Sequence, residues 1–306
     1  MNLRDLRYLI AVADHRHFGR AAEACFVSQP TLSAQLKKLE AFLGVQLVER
    51  SSKQVLLTPI GHEVAQRARD ILSLSDDIVE LARAASDPLA GDLRLGVIPT
   101  LAPYLLPHLL PALSRELPRL RPILHEDRTS HCLEKLRHGH LDMVLIAVPV
   151  EGADAFPQAA LFEEPFLLAA PSEHPLARSP SLSLDDLSAA RVLLLEEGHC
   201  LRDQALSLCY AAGAREATEF QATSLETLRQ MAMSGAGITL LPELAAFAHG
   251  DPGPQDRLVL RRFGQPQPRR RIAALWRKGS AREATVQSVV NVIRELPVVQ
   301  ELAAAG

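Results

Sequence analysis

Apolar residues recur every three or four positions through the first sixty residues, the spacing of helices that bury one face. A first helix is predicted to end near Phe18-Gly19, and a short helix follows from Arg20 to Cys25. Ser28 at an N-cap position and Pro30 in the first turn predict a third helix from about Gln29 to Phe42. The apolar positions of the first helix are Leu3, Leu6, Leu9, Ile10 and Ala13, and those of the third are Leu32, Leu36, Leu39 and Leu43.

The opposite face of the third helix carries no large apolar side chain, and its residues are Pro30, Thr31, Ala34, Lys37 and Lys38. After it, Gln46 to Arg50 and Val55 to Thr58 flank a polar stretch, which predicts a hairpin with Arg50 and Lys53 near its tip. Together these features favour a winged helix-turn-helix over residues 1–58 whose third helix enters a DNA major groove. A small helical protein-binding module with a solvated charged face is the alternative.

Thr58-Pro59 predicts the start of a further helix. Its apolar residues alternate in steps of three and four, interrupted only by Arg67, at Leu57, Ile60, Val64, Ile71, Leu74, Ile78, Leu81 and Ala85. This heptad pattern favours a coiled-coil dimerisation and linker helix over residues 59–90. An amphipathic helix buried in a single core is the alternative.

From Gly91 onward strands and helices alternate, which predicts an α/β regulatory domain over residues 91–306 with crossover helices. The predicted strands are Leu93–Ile98, Ile123–Glu126, Met143–Val148, Phe166–Ala169, Val192–Leu195, Ala217–Gln221, Ile238–Leu241 and Ile272–Trp276. The predicted helices are Leu101–Leu117, His131–His138, one from Leu201, Leu225–Met233 and Glu283–Leu296. Ligands bind beyond the carboxyl ends of such strands, where Thr100, Thr129, Ser130, His199, Cys200, Thr223 and Ser224 follow. Each hydroxyl is equally placed to cap a helix.

Charge and composition divide the chain in the same way. A length of 306 residues with 47% hydrophobic and 23% charged residues suits a folded protein of two or more domains. The net charge is +3 over residues 1–58 and −6 over 59–306, so only the first segment is expected to meet a polyanion. We expect a cytoplasmic chain with no export signal, membrane span or membrane partner, and its four cysteines are too few for a disulfide scaffold.

Two cysteines stand on one predicted helix. Cys200 begins it, where the helix dipole stabilises a thiolate; His199 and Arg202 could add positive charge, which Glu196 and Glu197 oppose. Cys209 lies nine residues later, which in a continuous helix is about 13 Å of rise, so these thiols cannot bond without unwinding it. The residues alone leave a redox switch and structural cysteines as alternatives. Cys25 and Cys132 are interpreted as core residues, and no zinc spacing occurs, so no metal or cofactor is expected.

The stretch AAEACFVSQPTLSAQLKKLEAFLGVQLVER, followed by LTPIG and later by SGAGITLLP, resembles LysR-type transcriptional regulators. The resemblance implies a helix-turn-helix over about Phe18–Lys37. Its DNA-binding residues would start at Ser28, with Gln29, Pro30, Thr31 and Ser33 near bases and Lys37, Lys38, Arg50 and Lys53 on phosphates. It also implies a two-lobed, periplasmic-binding-protein-like effector domain of parallel and mixed sheets. Lobe I would span about 91–162 plus 269–296, and lobe II about 163–268.

The segment LLLEEGHCLRDQALSLCYAAGA resembles the peroxide-sensing subfamily of these regulators. This implies Cys200 as peroxidatic thiol, Cys209 as resolving thiol, and Thr100, Thr129, His199 and Asp203 as candidates for binding and polarising hydrogen peroxide. The expected partners are promoter DNA of antioxidant genes, hydrogen peroxide, a cellular thiol reductant, and further copies in a homodimer or homotetramer. The chain would be a sensor and not an enzyme. The alternatives are a LysR-type regulator answering a small organic effector in the cleft between the lobes, and a thiol peroxidase or disulfide oxidoreductase.

Overall fold

The computed structural model describes residues 1–50, 55–84, 87, 89–188, 190–211, 213–248 and 257–304. The chain divides into two compact units, Met1–Arg83 and Ala84–Gly306. The predicted boundaries near residues 58, 90, 162 and 268 divide the chain more finely and stay predictions. Of the helices in the described ranges, none is both long enough and apolar enough to cross a membrane.

The N-terminal unit consists of helices followed by a two-stranded hairpin. Its elements are α1 (Leu3–His15), α2 (Phe18–Ala24), α3 (Gln29–Leu43), β1 (Val48–Arg50), β2 (Val55–Leu57) and most of α4 (Pro59–Ala84). Leu9, Leu32 and Leu36 are fully buried in its core. The predicted cap of α3 is present, because the Ser28 hydroxyl accepts a hydrogen bond from the Thr31 amide at 3.3 Å.

The start of α2 differs from the prediction. The sequence suggested that Phe18-Gly19 ends the first helix and that the second begins at Arg20, whereas α2 begins at Phe18. The cause is His17, whose Nδ1 accepts hydrogen bonds from the amides of Gly19 and Arg20 at 3.1 and 3.3 Å. Histidine is not among the residues usually recognised as an N-cap, so the pattern of apolar positions alone could not place this start.

The predicted hairpin is present and is fixed to α3 by one carboxylate. Val48 pairs with Leu57, and the Glu40 carboxylate accepts hydrogen bonds from the amides of Leu47 and Val48 at 2.9 and 3.1 Å. Gly61 packs so closely on the start of the hairpin that a Cβ there would lie 2.0 Å from the Leu47 carbonyl oxygen. The hairpin tip, residues 51–54 with Lys53, lies outside the described residues, as does the side chain of Arg50.

One face of helix α4 packs against the core of the N-terminal unit, and another face is exposed to solvent. Ala65 is buried in the core, and the Arg69 guanidinium lies 2.6 Å from the Asp14 carboxylate of α1. The predicted heptad positions divide: Leu57 and Val64 are half-buried against the core, whereas Ile60 and Ile71 are exposed, as are Leu74 at 65% and Ile78 at 67% of their full accessible surface. The last two heptad positions cannot be assessed, because the side chain of Leu81 and the whole of Ala85 lie outside the described residues.

The C-terminal unit alternates strands and helices as predicted, and most predicted elements end within a few residues of the expected positions. The strand predicted at Phe166–Ala169 is an exception, because it begins at Gln158. In chain order they are β3 (Gly91–Val97), α5 (Ala102–Glu116), β4 (Leu120–Glu126), α6 (Thr129–Arg137), β5 (Met143–Val148), β6 (Gln158–Pro171), β7 (Arg191–Leu195), α7 (Cys200–Ala211), β8 (Arg215–Ala222), α8 (Leu225–Met233), β9 (Thr239–Pro242), α9 (Glu243–Ala246), β10 (Leu258–Arg262), β11 (Arg269–Trp276), α10 (Glu283–Arg294) and α11 (Pro297–Ala304). The sequence analysis missed α9, β10 and α11.

The strands form mixed sheets. In the larger sheet the order is β10-β6-β11-β5-β3-β4, with β9 also paired to β6. Strand β3 pairs in parallel with β4 and β5, whereas β11 pairs antiparallel with both β5 and β6. Strands β7 and β8 form a separate parallel pair. The predicted fold class, a two-lobed α/β domain of parallel and mixed sheets after a winged helix-turn-helix, is confirmed.

Two hydrophobic cores lie in this unit, and β6 runs through both. The first core includes Leu95, Ile146 and Val289, and the second includes Leu193 and Leu228. The fourteen-residue strand β6 contributes its early residues, 161 and 162, to the first core and its later residues, 166 to 170, to the second. One continuous strand therefore connects the two lobes.

A fully buried ion pair crosses from β11 to β6. Arg270 Nε donates to Glu164 Oε2 at 2.7 Å, and the amide of Leu244 donates to the other carboxylate oxygen at 2.8 Å. The remaining guanidinium nitrogens of Arg270 donate to the hydroxyl and the carbonyl of Thr100 at 2.9 and 3.0 Å. Burial raises the pKa of Glu164, and the charge of Arg270 and the Leu244 amide oppose that shift. The cluster joins the turn before α5 to β6, α9 and β11.

Because a buried charge without its partner is costly, Arg270→Met is expected to lower the free energy of unfolding by about 3–5 kcal/mol. The double variant Glu164→Gln/Arg270→Met carries neither charge and should recover part of that loss. Urea unfolding followed by the fluorescence of Trp276, the single tryptophan, measures both. Arg271→Met at the exposed neighbouring position is the control and should change stability by less than about 1 kcal/mol. If Arg270→Met lowered the free energy of unfolding no more than this control does, the buried ion pair would not stabilise the fold as expected.

Candidate functional site

Cys200 is the first residue of α7 and is almost buried, with 9% of its surface accessible. The turn before it contains Gly198 in the left-handed region at φ +92°, which a residue with a side chain adopts only at a cost. The sulfur side chain belongs to the first core. A helix start directs free amide hydrogens and the positive end of the helix dipole toward this position.

Cys209 lies on the same helix but in the second core, with 3% of its surface accessible. Burial, and then the charge of Glu216, raise its pKa to about 11, so the thiol is protonated at neutral pH. Both cysteines are free thiols, and α7 is unbroken between them. Nine residues of helix correspond to about 13 Å, whereas α-carbons joined by a disulfide lie within about 7 Å of each other.

The first turn of α6 packs against the turn that precedes Cys200. The Arg128 guanidinium forms a short ion pair with Glu196. A Cβ on Gly198 would lie 2.9 Å from Arg128 Nη1, so the guanidinium lies directly against this turn. The next residue, Thr129, is buried, and its hydroxyl has no hydrogen-bond partner among the described residues. A buried hydroxyl of this kind is available to a small polar ligand.

His199 is buried beside the same contact, and its charge differs from the expectation. Burial is the largest cause that lowers its pKa, the nearby charge of Arg128 lowers it further, and Glu196 opposes both. The imidazole is therefore neutral at pH 7 and does not supply the positive charge that the sequence suggested. Arg202 does not supply it either, because its guanidinium pairs with the Glu216 carboxylate at 2.6 and 3.0 Å. Arg128 is a cation beside this turn, and it too is paired, with Glu196.

Thr100 and Asp203 have different environments. Thr100 is buried, and its hydroxyl accepts a hydrogen bond from Arg270 instead of capping α5, which leaves its own hydrogen free to donate. Asp203 lies in the first turn of α7 but is exposed. The structure thus gives Thr100, Thr129 and His199 buried positions at strand-to-helix turns, and it leaves the Asp203 side chain at the surface.

A cavity of about 510 Å³ lies beside α7. Gln204, one turn after Cys200, lines it, and its side-chain oxygen is buried without a partner in the part of the chain that the structure describes. Arg270 also lines this cavity. The sequence analysis missed Arg128, Gln204 and Arg270. Only Gln204 carried a readable signal, because residues four apart on a helix share a face.

Most of the candidate DNA-binding residues lie along α3 or at its N-cap. Those that are exposed are Ser28, Gln29, Pro30, Thr31, Lys37 and Lys38, whereas Ser33 is half-buried. The hydroxyls of Ser28 and Thr31 lie 2.8 Å apart, so both take part in the helix cap. Helix α3 therefore presents exposed polar residues at its amino end and the exposed pair Lys37 and Lys38 in its second half, an arrangement that suits major-groove recognition.

Family models match both units of the chain. Residues 3–62 match the model described as bacterial regulatory helix-turn-helix protein, lysR family, and residues 86–297 match the LysR substrate binding domain. These two matches cover the winged unit and most of the regulatory unit.

Named relatives and solved structures are similar over almost the whole chain. The DNA-binding transcriptional dual regulator OxyR of Escherichia coli (strain K12) is 46% identical over 294 residues, covering 96% of this chain and 95% of the relative. The hydrogen peroxide-inducible genes activator of Dickeya chrysanthemi is 45% identical over 302 residues, with the same coverage. A full-length OxyR variant from Pseudomonas aeruginosa superposes with a TM-score of 0.79 at 39% identity, covering 98% of this chain and 97% of that one. The chain therefore belongs to the LysR family of bacterial helix-turn-helix regulators and, within it, to the OxyR group of hydrogen peroxide-inducible genes activators.

Proposed function

We propose that the chain is a transcriptional regulator that senses hydrogen peroxide through Cys200 and Cys209 and controls antioxidant genes. The observation that carries this proposal is the position of the two thiols on one unbroken helix, each buried in a different core. The names of its relatives support the same function. With DNA as its partner, its place of action is the cytoplasm.

The first chemical step is attack on peroxide by the Cys200 thiolate. The sulfur bonds to one peroxide oxygen, the O–O bond breaks, and the other oxygen leaves as hydroxide, so Cys200 becomes a sulfenic acid. Peroxide is small and neutral, so selectivity depends on donors that stabilise the leaving oxygen in the transition state. The hydroxyls of Thr129 and Thr100, neutral His199 and the amides after Cys200 supply such donors, while Asp203 acts at most from the surface.

The second step joins Cys200 to Cys209. The Cys209 sulfur displaces the sulfenic oxygen, which leaves as water, and a disulfide forms. This requires Cys209 to leave the second core and α7 to unwind, because the intact helix keeps the sulfurs too far apart. Apolar surface is then exposed, and a cellular thiol reductant restores the first state. The protein reacts once per signal and works as a switch, not as an enzyme with turnover.

Promoter DNA is the proposed partner of the N-terminal unit. Gln29, Pro30, Thr31 and Ser33 approach bases in the major groove, next to Ser28, and Lys37, Lys38, Arg50 and Lys53 contact phosphates. The exposed polar start of α3 and the net charge of +3 over residues 1–58 support this role. Two copies joined through α4 in a homodimer, or four in a homotetramer, would match a two-fold DNA site.

Cys200→Ser should abolish the response to peroxide, since serine forms no sulfenic acid. Cys209→Ser should still form a sulfenic acid at Cys200 but should lose the Cys200–Cys209 disulfide and the activated form that depends on it. Peptide mapping by mass spectrometry after a brief dose of peroxide, with DNA binding measured in parallel, tests both. Cys25→Ser is the control and should respond normally. If the Cys200 thiol stayed reduced under these conditions, the alternative, a regulator that responds to a small organic effector, would be favoured instead.

Lys38→Ala should weaken binding to every DNA sequence by a similar factor and lower the slope of log affinity against log salt by about one. The reason is that one phosphate contact, with its released counterion, is lost. Titrations at several salt concentrations measure the slope. Lys278→Ala removes the same charge from an exposed site in the C-terminal unit and should leave the slope unchanged. Equal slopes for Lys38→Ala and the native chain would remove Lys38 from the phosphate contacts.

Ile71→Asp should dissociate the dimer, because it places a carboxylate without a partner in the apolar seam of α4. Sedimentation velocity reports the change in mass, and circular dichroism checks that the variant is folded. Ser73→Asp adds the same charge on the opposite side of the helix and should leave the dimer intact. A folded Ile71→Asp variant that still sediments as a dimer would mean that the seam is elsewhere.

A further inference from the structure

We propose that Cys132 is a second partner thiol for oxidised Cys200, and that the two form a local disulfide while α7 stays helical. The inference rests on the proposed oxidation of Cys200 by peroxide. It assigns a redox role to a cysteine that sequence reasoning interpreted as part of the core.

Cys132 and Cys200 are buried in the same hydrophobic core. Cys132 is fully buried on α6 and belongs to the first core, as Cys200 does, whereas Cys209 belongs to the second core. The amino end of α6 is held on the turn before Cys200 by the ion pair between Arg128 and Glu196 and by the close approach of Arg128 to Gly198. Cys132 lies one helical turn after this contact.

The surroundings of Cys132 also affect the pKa of its thiol. Burial raises the pKa of Cys132 to about 12, and charges on Asp127 and on Cys200 itself contribute to the increase. The Cys132 sulfur also lies 3.4 Å from the Asp127 carbonyl oxygen, to which the S–H group donates.

Two opposing factors decide which thiol reacts with the Cys200 sulfenic acid. Burial raises the pKa of both thiols, to about 11 for Cys209 and about 12 for Cys132, so the ionised form is harder to reach for Cys132, and the thiolate is the nucleophile. Cys209, however, must first be freed from the second core by unwinding α7, whereas Cys132 already lies in the first core with Cys200. Acidity favours Cys209, and proximity favours Cys132.

The reaction balances without a further oxidant. Peroxide oxidises the Cys200 thiolate to a sulfenic acid. Cys132 then gives up its proton, its sulfur bonds to the Cys200 sulfur, and the sulfenic S–O bond breaks with release of water. Two electrons pass in total from the two thiols to peroxide. The product is an oxidised chain with intact α7 and with Cys209 still in its core, so it protects Cys200 from oxidation to sulfinic acid without switching the protein.

The test compares full-length Cys209→Ser with the double variant Cys132→Ala/Cys209→Ser after the same dose of peroxide. We expect Cys209→Ser to lose the alkylatable Cys132 thiol and to yield a bridged Cys132–Cys200 peptide, with no loss of helix signal in far-ultraviolet circular dichroism. In the double variant, Cys200 should accumulate as the sulfenic acid, trapped by dimedone, and then as the sulfinic acid.

Two results would overturn the inference, and they are distinguishable. If Cys200 becomes a sulfenic acid in Cys209→Ser while Cys132 remains fully alkylatable, the local disulfide is wrong and the proposed sensing function stands. If Cys200 stays a thiol in both variants, the inference and the proposed function fail together. Should the double variant not fold, as judged by Trp276 fluorescence, the presence or absence of the bridged peptide in Cys209→Ser decides the question alone.

Discussion

The regulatory unit depends on a mismatch between one helix and one covalent bond. Helix α7 holds Cys200 and Cys209 about 13 Å apart, and a disulfide tolerates about half that distance between its α-carbons. Each cysteine is also buried in a different core. The helix and the bond therefore exclude each other, so any chemistry that joins the two sulfurs must refold this part of the lobe.

The amino end of α7 is the better anchored of the two cysteine positions. Arg128 holds the preceding turn through Glu196 and Gly198, and the buried pair of Arg270 and Glu164 joins β11 to β6 and fixes Thr100. At the other end, the residue after Cys209 is the exposed Tyr210. A rigid frame around the reactive thiol suits a mechanism in which Cys209 moves and Cys200 does not.

The sequence predicted the features that local patterns determine. Helix α3, with its Ser28 cap and leucine stripe, and strand β5, a continuous apolar run, lie where periodicity and capping indicated. Long-range pairing could not be predicted from local patterns, because Arg270 and Glu164 are 106 residues apart and nothing local marks either as buried. The spacing of residues also did not predict that the Asp203 side chain is exposed. Nor did it indicate that Cys132 shares a core with Cys200.

The stability of α7 also affects how easily the Cys200–Cys209 disulfide is reduced. If the disulfide forms only when the helix unwinds, the free energy of folding α7 is part of the reduction potential of that disulfide. For a two-electron couple, each 1.4 kcal/mol of helix stability raises the potential by about 30 mV and makes the bond easier to reduce. The buried contacts that keep the sensor in its resting state therefore also drive its return, so α7 sets how long the oxidised signal lasts.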